Sequence, residues 1–210
     1  MSAPNRPIVV AITGASGAVY GVRLLEVLVA AGHDVHLSIS PSGQIVLKQE
    51  MELSVDLDRF EISDLRLEST GPGRITYHHY KNLMSPIASG SFLTGGMVIC
   101  PCSGSTLGAV VHCVGENLIH RAADVHLKER RMLVLVPRET PLSMIQLENM
   151  KRAAEAGAIV LPAMPGFYLG ARTIRDLVDF VVARICDQLG VENTLMKRWG
   201  TSKINLSGSH

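Results

Sequence analysis

The stretch Ile8-Val9-Val10-Ala11-Ile12-Thr13-Gly14-Ala15-Ser16-Gly17 decides the fold. Five apolar, mostly β-branched residues form a run short enough for a buried strand, and the segment then breaks into glycine and small hydroxyl side chains. From Ala18 the apolar period becomes helical. Ala18, Val22, Leu25 and Val29 fall a turn apart, Leu24 and Leu28 fill the same face, and Gly32 supplies the stop. The first N–H groups of such a helix lack intrahelical partners and lie at the positive end of the macrodipole, so Gly14 to Gly17 are expected to hold a phosphate. A ligand-free connection would read the same from this motif alone.

The turn does not fit a dinucleotide fingerprint, which needs G-x-G-x-x-G and an acidic residue about 20 positions on. Glycines stand at Gly14, Gly17 and Gly21, and the next strand, Asp34 to Ile39, ends in Ser40-Pro41-Ser42 where a carboxylate is required. A mononucleotide suits it better.

The 210 residues suffice for one α/β domain with a full core, and no Pro/Ser-rich linker or repeat divides them, so residues 1–210 are expected to form a single domain with a C-terminal tail from about 199. A net charge of +1 removes any general electrostatic case for nucleic acid or an anionic membrane. No apolar run reaches the roughly 18 residues of a membrane span and no signal peptide is legible, so a cytoplasmic protein is expected. Cys100, Cys102, Cys113 and Cys186 sit in apolar patterns as reduced thiols, and Cys100-Pro101-Cys102 lacks zinc spacing, so no metal is expected. Mean hydropathy is positive, which suits either burial of surface in an oligomer or a parallel sheet covered on both faces.

Gln44 to Glu50 is expected to be helical. Glu52 to Gly73 gives no assignment beyond one helix near Asp56 to Leu67. Arg74 to Tyr80 alternates like a strand, where His78 and His79 point to opposite faces and cannot easily share a metal. Asn82 to Gly96 is a loop with Ala88-Ser89-Gly90-Ser91. Met97 to Pro101 is a buried strand ending in Cys102-Ser103-Gly104-Ser105-Thr106, a second turn of the same design. Asn117 to Glu129 reads as a helix carrying Arg121 and Lys128, Met132 to Val136 as a strand with Pro137-Arg138-Glu139 at its carboxyl end, and Leu142 to Ala156 as a helix. Ala158 to Leu161 is the last strand, followed by Pro165-Gly166-Phe167-Tyr168 and a helix from Thr173 to Leu189 with Leu177, Phe180, Val181 and Ile185 as its core stripe. Arg184 in that mainly apolar helix needs a carboxylate or a ligand anion.

Alternating strands and helices imply a parallel sheet between two helical layers, a three-layer α/β/α sandwich of Rossmann-like or flavodoxin-like type. Ligands bind outside the carboxyl ends of such strands. That rule gathers Gly14 to Ser16, Ser40, Ser103 to Thr106, Arg138-Glu139 and Tyr168 on one rim, a set that suits FMN with its phosphate and polyol chain.

These motifs resemble the flavin prenyltransferases (UbiX-like proteins) from Ile8 to about Gly200. The matching stretches are Thr13-Gly14-Ala15-Ser16-Gly17, Ile99-Cys100-Pro101-Cys102-Ser103, Asn117-Leu118-Ile119 with Arg121-Ala122-Ala123-Asp124-Val125, Leu127-Lys128-Glu129, Pro137-Arg138-Glu139, Pro165-Gly166-Phe167-Tyr168 and Arg198-Trp199-Gly200. The resemblance implies a homo-oligomer, usually a dodecamer, that joins a dimethylallyl group from dimethylallyl phosphate to N5 and C6 of reduced FMN without a metal. The prenylated FMN passes to UbiD-like decarboxylases. Carried over by motif, Gly14, Ala15, Ser16, Ser40, Ser103, Gly104, Ser105, Thr106 and Arg138 hold FMN. Ser89, Arg121, Lys128, Tyr168 and Arg184 bind the departing phosphate, where fixed cations stabilise charge as the allylic C–O bond breaks, and all of these side chains are expected to converge at a single edge of the sheet as a flavin cradle beside an anion pocket. Glu139, Ser16 and Glu50 handle protons around the flavin. Rival expectations are an FMN-dependent cysteine decarboxylase, a non-enzymatic flavin carrier and an aromatic acid decarboxylase. Two departures from the family pattern, Gln146 in place of a frequent His and Leu169-Gly170-Ala171-Arg172 after the tyrosine, are expected to touch no catalytic position. Trp199 is expected either to cover a neighbouring subunit's site or to anchor the tail.

Overall fold

Six parallel strands in the order β3-β2-β1-β4-β5-β6 organise the computed structural model, which describes residues 6–68 and 71–198. The strands are β1 (Ile8–Ile12), β2 (Val35–Ile39), β3 (Ile75–Tyr77), β4 (Gly96–Cys102), β5 (Leu133–Pro137) and β6 (Ile159–Val160). The helices are α1 (Ala18–Ala30), α2 (Pro41–Met51), α3 (Gly104–Val111), α4 (Leu118–Lys128), α5 (Met144–Glu155) and α6 (Ile174–Leu189). The strand order reverses between β1 and β4, so the two glycine and hydroxyl turns flank the topological switch point.

Alternation along β1 divides the core in two. Ile8, Val10 and Ile12 pack with Leu24, Leu25 and Leu28 of α1, Leu47 of α2 and Val178, Val181 and Ile185 of α6. Val9 and Ala11 point the other way, onto Leu107 of α3, Leu118, Ile119 and Ala122 of α4 and Ala153 of α5. Period-two alternation in a strand covered on both faces produces this division, and it makes all five β1 residues buried. The three-layer α/β/α sandwich expected from the sequence is what forms.

Close approach sets two of the glycines. A Cβ on Gly21 of α1 would clash with the Cys100 carbonyl oxygen of β4, and one on Gly43 of α2 would stand 2.5 Å from the Ile12 carbonyl oxygen. Both helices lie directly against strand backbone.

Boundaries match expectation within a few residues, with three differences. Within Glu52 to Gly73 the helical part is a single 3-10 turn, Ile62–Leu65, closed by a reciprocal Glu61/Asp64 cap, while Leu53, Val55 and Leu57 pack in extended chain. A 3-10 turn, Pro86–Ala88, lies within the Asn82 to Gly96 loop. Val178 rather than Leu177 fills the core stripe of α6. Trp199 and the tail lie outside the described residues. No helix among the described residues is long and apolar enough to cross a membrane.

His78 and His79 do diverge. His79 faces Asp58 at 3.4 Å, whereas His78 is buried, with its Nε2 2.7 Å from His36 Nδ1 and the two rings parallel within 3°. Burial, then the neighbouring His36 ring, pushes His78 down to about 4, and burial depresses His36 as well.

Two expectations follow for stability. Gly21→Ala forces α1 off β4 and lowers the free energy of unfolding by about 1–3 kcal/mol in urea titrations, in line with other overpacked cores. An unfolded histidine takes up its proton near pH 6.5, whereas folded His78 resists until about 4, so its contribution is complete above pH 6.5 and is lost as pH falls through that window. Urea midpoints measured from pH 8 to pH 4 decline accordingly, and His78→Phe lessens the slope.

Candidate functional site

Thr13 joins the two turns at the switch point. Its hydroxyl donates to the Pro101 carbonyl at 2.7 Å and accepts the Ser103 amide at 2.9 Å, and the side chain is buried. The β1 turn and the β4 turn are thereby one rigid unit. Sequence reasoning quoted Thr13 within the motif but gave it no role. Its signal was a lone hydroxyl at the end of an otherwise aliphatic buried strand.

Each turn opens a helix, and the two helix starts differ. At α1 the amides of Gly17 and Ala18 donate to the Glu50 carboxylate, at 2.9 Å each to Oε2. Glu50 comes from the end of α2, and its pairing with a helix N-terminus is worth about 0.3–1 kcal/mol. Partial burial works to raise the Glu50 pKa, but the Ser16 hydroxyl, the two amides and Arg138 outweigh it and hold the carboxyl below its ordinary value. Of the turn expected to hold a phosphate, the Gly17 amide, with that of Ala18, is taken by the protein's own carboxylate, while Gly14 lines the neighbouring cleft.

The α3 start is arranged differently. Ser103 caps the helix by accepting the Thr106 amide at 3.3 Å, and its hydroxyl lies 3.1 Å from that of Ser105 and 2.9 Å from that of Thr106. The helix opens into a cleft of about 570 Å³ lined by Gly14, Ser40, Ser42, Ser103, Ser105 and Thr106 on one side. His112, Asn117 and His120 line the same cleft; Asn117 stands in a motif quoted above, and none of the three was expected at the site. Gly14 borders the cleft, and a Cβ there would collide with Ser42. Volume, hydroxyl lining and an open helix N-terminus together fit a small phosphorylated, hydroxyl-bearing ligand.

Beside the cleft, Arg138 follows β5 and donates from Nε to the Ser16 carbonyl at 3.4 Å. Ser16, Glu50 and Arg138 thus form one polar corner next to Gly14 and Ala15. Glu139 accepts the Thr140 amide at 3.1 Å, and its other oxygen stands 3.5 Å from Gln146 Nε2. Gln146 also lies against Gly104, where a Cβ would be 3.2 Å from the amide nitrogen. The expectation that the Gln146 departure touches no catalytic position is corrected here. Gln146 is part of the α5 capping box with Ser143, and that anchoring turns its amide toward both Glu139 and the α3 start.

The remaining predicted residues form two further groups, one on the α4 layer and one against α6. Ser89, Arg121 and Lys128 lie on the α4 layer. Arg121 donates to the Ala88 carbonyl at 3.1 Å and pairs with Asp124 at 2.7 Å, and the Ser89 hydroxyl is 2.9 Å from that of Ser91. α4 begins beside Tyr80, past the carboxyl end of β3, and descends to the amino end of β5, so Lys128 stands near the edge opposite the cleft. Tyr168 and Arg184 lie on the α6 layer. The Tyr168 ring meets Phe180 edge-on at 5.8 Å, and Arg184, one helical turn further, pairs with Asp187 at 2.9 Å. Arg184 thus has the carboxylate that its place in α6 demanded.

The α4 and α6 layers belong to opposite core clusters. One chain therefore does not gather all predicted side chains at a single edge, and that expectation is corrected. The reason is topological: residues on crossover helices are carried to either face, and only those in turns directly after strands are held on the rim.

A family model described as Flavoprotein matches residues 1–186. The flavin prenyltransferase UbiX of Pseudomonas aeruginosa is 48% identical over 206 residues, covering 97% of this chain and 98% of that protein. Among solved structures, AnUbiX (PadA1) in complex with FMN and dimethylallyl pyrophosphate has a TM-score of 0.83 at 38% identity, covering 95% of this chain and 100% of that one. A dodecameric FMN-dependent UbiX-like decarboxylase from Escherichia coli O157:H7 has a TM-score of 0.80 at 38% identity over 92% and 98% of the two chains. With a hydroxyl-lined cleft at the switch point of a 3-2-1-4-5-6 sheet and full-length identity of this order, the chain belongs to the flavoprotein family and, within it, to the UbiX-like flavin prenyltransferases.

Proposed function

We propose that this protein transfers a dimethylallyl group from dimethylallyl phosphate to N5 and C6 of reduced FMN, and that the product serves UbiD-like decarboxylases. The observation that carries it is the cleft at the α3 start, where Ser103, Ser105 and Thr106 face Gly14 and Ser40. Such a lining suits the FMN phosphate and polyol, and the Ser16–Glu50–Arg138 corner beside it suits the reacting edge of the ring. Full-length identity to flavin prenyltransferases favours this assignment over a cysteine decarboxylase or a flavin carrier.

FMN supplies the nucleophilic ring, and the protein supplies position and charge. Glu50, held ionised by two helix amides, keeps the Ser16 hydroxyl oriented. Glu139, fixed by the Thr140 amide, serves as the proton acceptor or donor at the ring. Arg121, Lys128, Tyr168 and Arg184, with Ser89, receive the phosphate. Since Arg184 and Lys128 occupy opposite faces of one chain, a complete phosphate site requires faces of different copies to meet. That requirement supports a homo-oligomer, which we take to be a dodecamer. We place the protein in the cytoplasm, where reduced flavin and its four free cysteines are both compatible with the redox state.

Anaerobic incubation with reduced FMN and dimethylallyl monophosphate is expected to add one prenyl group to the extracted flavin, read by mass spectrometry. An unchanged flavin mass with FMN bound would leave the carrier assignment ahead. Lys128→Ala and Arg184→Ala are each expected to retain FMN and lose about 10²–10³ in rate, the cost of one charge-stabilising donor. Mixing the two inactive variants under conditions of subunit exchange should restore activity, because some sites then draw Lys128 from an Arg184→Ala copy and Arg184 from a Lys128→Ala copy. No recovery in exchanged oligomers would place both groups in one chain's site and sink the shared-site proposal.

A further inference from the structure

Lys128 ends α4 and Glu129 is its C-cap. Successive residues on a helix diverge and do not face each other, yet here the ammonium and the carboxylate oxygen are 2.5 Å apart. Glu129 manages this by leaving the helix and turning back over the Ser89-Gly90-Ser91 bend. The bend is shaped to receive the pair. A Cβ on Gly90 would clash with Glu129 Oε1, lie 2.9 Å from its Cδ and 3.0 Å from Lys128 Nζ. Arg131 holds the bend in place, donating to the carbonyls of Gly90 and of Phe92, the latter at 2.7 Å. The Lys128 ammonium, first, and Arg131 keep Glu129 ionised below its ordinary range.

We propose that Glu129 is a positioning residue that governs phosphate release: it holds the Lys128 ammonium over the Gly90 notch when no phosphate is present, yields it to the phosphate of the prenyl donor, and reclaims it as inorganic phosphate departs. The inference rests on the assignment of Lys128 to the phosphate site. A phosphate brings roughly two negative charges against one carboxylate, so it can take the ammonium. The carboxylate is tethered beside its partner, so it competes at high effective concentration once the allylic bond is broken and the phosphate is free to diffuse. Removing that competitor leaves a cation that binds phosphate too well.

Titration of inorganic phosphate into the FMN-loaded oligomer by calorimetry tests this, with steady-state phosphate inhibition as a second readout. Glu129→Gln is expected to bind phosphate about three- to fivefold more tightly than the parent, the weight of a half-exposed ion pair, and to show lower kcat with stronger product inhibition. Gly90→Ala, which retains both charged residues but crowds the carboxylate more closely than the ammonium, should tighten phosphate binding in the same direction. Glu129→Asp, which keeps the charge, should fall between parent and Glu129→Gln. Equal or weaker phosphate binding by Glu129→Gln, with Lys128→Ala abolishing it, overturns the role of Glu129 alone. If Lys128→Ala leaves phosphate binding unchanged, the phosphate assignment of the cluster fails and this inference falls with it.

Discussion

The hydrogen bonds of the Thr13 hydroxyl hold the rest together. Parallel strands β1 and β4 pair side by side, and at their ends the Thr13 amide still reaches the Pro101 carbonyl at 3.2 Å. The buried hydroxyl of the same residue adds to this, donating to Pro101 and accepting from Ser103. Because a buried polar group left unpaired costs about 1–3 kcal/mol, the Thr13 hydroxyl and the Ser103 amide each depend on the other, while the Pro101 carbonyl accepts both the hydroxyl and the amide of Thr13. The cleft inherits its shape from that tie, since Gly14 follows Thr13 and Ser103 caps the helix that opens the cleft.

Electrostatics then divides labour between the two helix starts. Both turns offer amides at the positive end of a helix, and by local rules either could take a phosphate. Glu50 breaks the symmetry. By closing the α1 start with a carboxylate it turns that end into a polar corner with Ser16 and Arg138, and leaves the α3 start for an incoming anion. On the assignment proposed above, a single side chain from α2 thereby sets which of two similar turns receives the phosphate and which faces the reacting ring.

Much of this was legible in the chain. The parallel sheet, the helix on each crossover and the rim residues follow from apolar runs, glycines and caps, all local signals within a few positions. The choice between the two turns was not legible, because Glu50 lies 33 residues from the amides it meets and nothing near either residue marks the contact. The same limit applies to Gln146. Its place in a capping box is a local signal, but its approach to Glu139 and Gly104 depends on how α5 docks on α3. The separation of Ser89, Arg121 and Lys128 from Tyr168 and Arg184 is also topological: spacing along a helix says which side chains share a stripe, not which layer of the sandwich the helix joins.

That separation gives the two cation clusters a different status from the cleft. The cleft at the switch point is lined here by residues of one chain. Under the shared-site proposal, the positive groups on opposite outer layers gain a common target only when surfaces of several subunits are brought into register. Selection would then reach beyond the reactive groups to the fit between neighbours, and a conservative change in a packing residue far from any flavin would silence the chemistry while leaving every individual subunit intact.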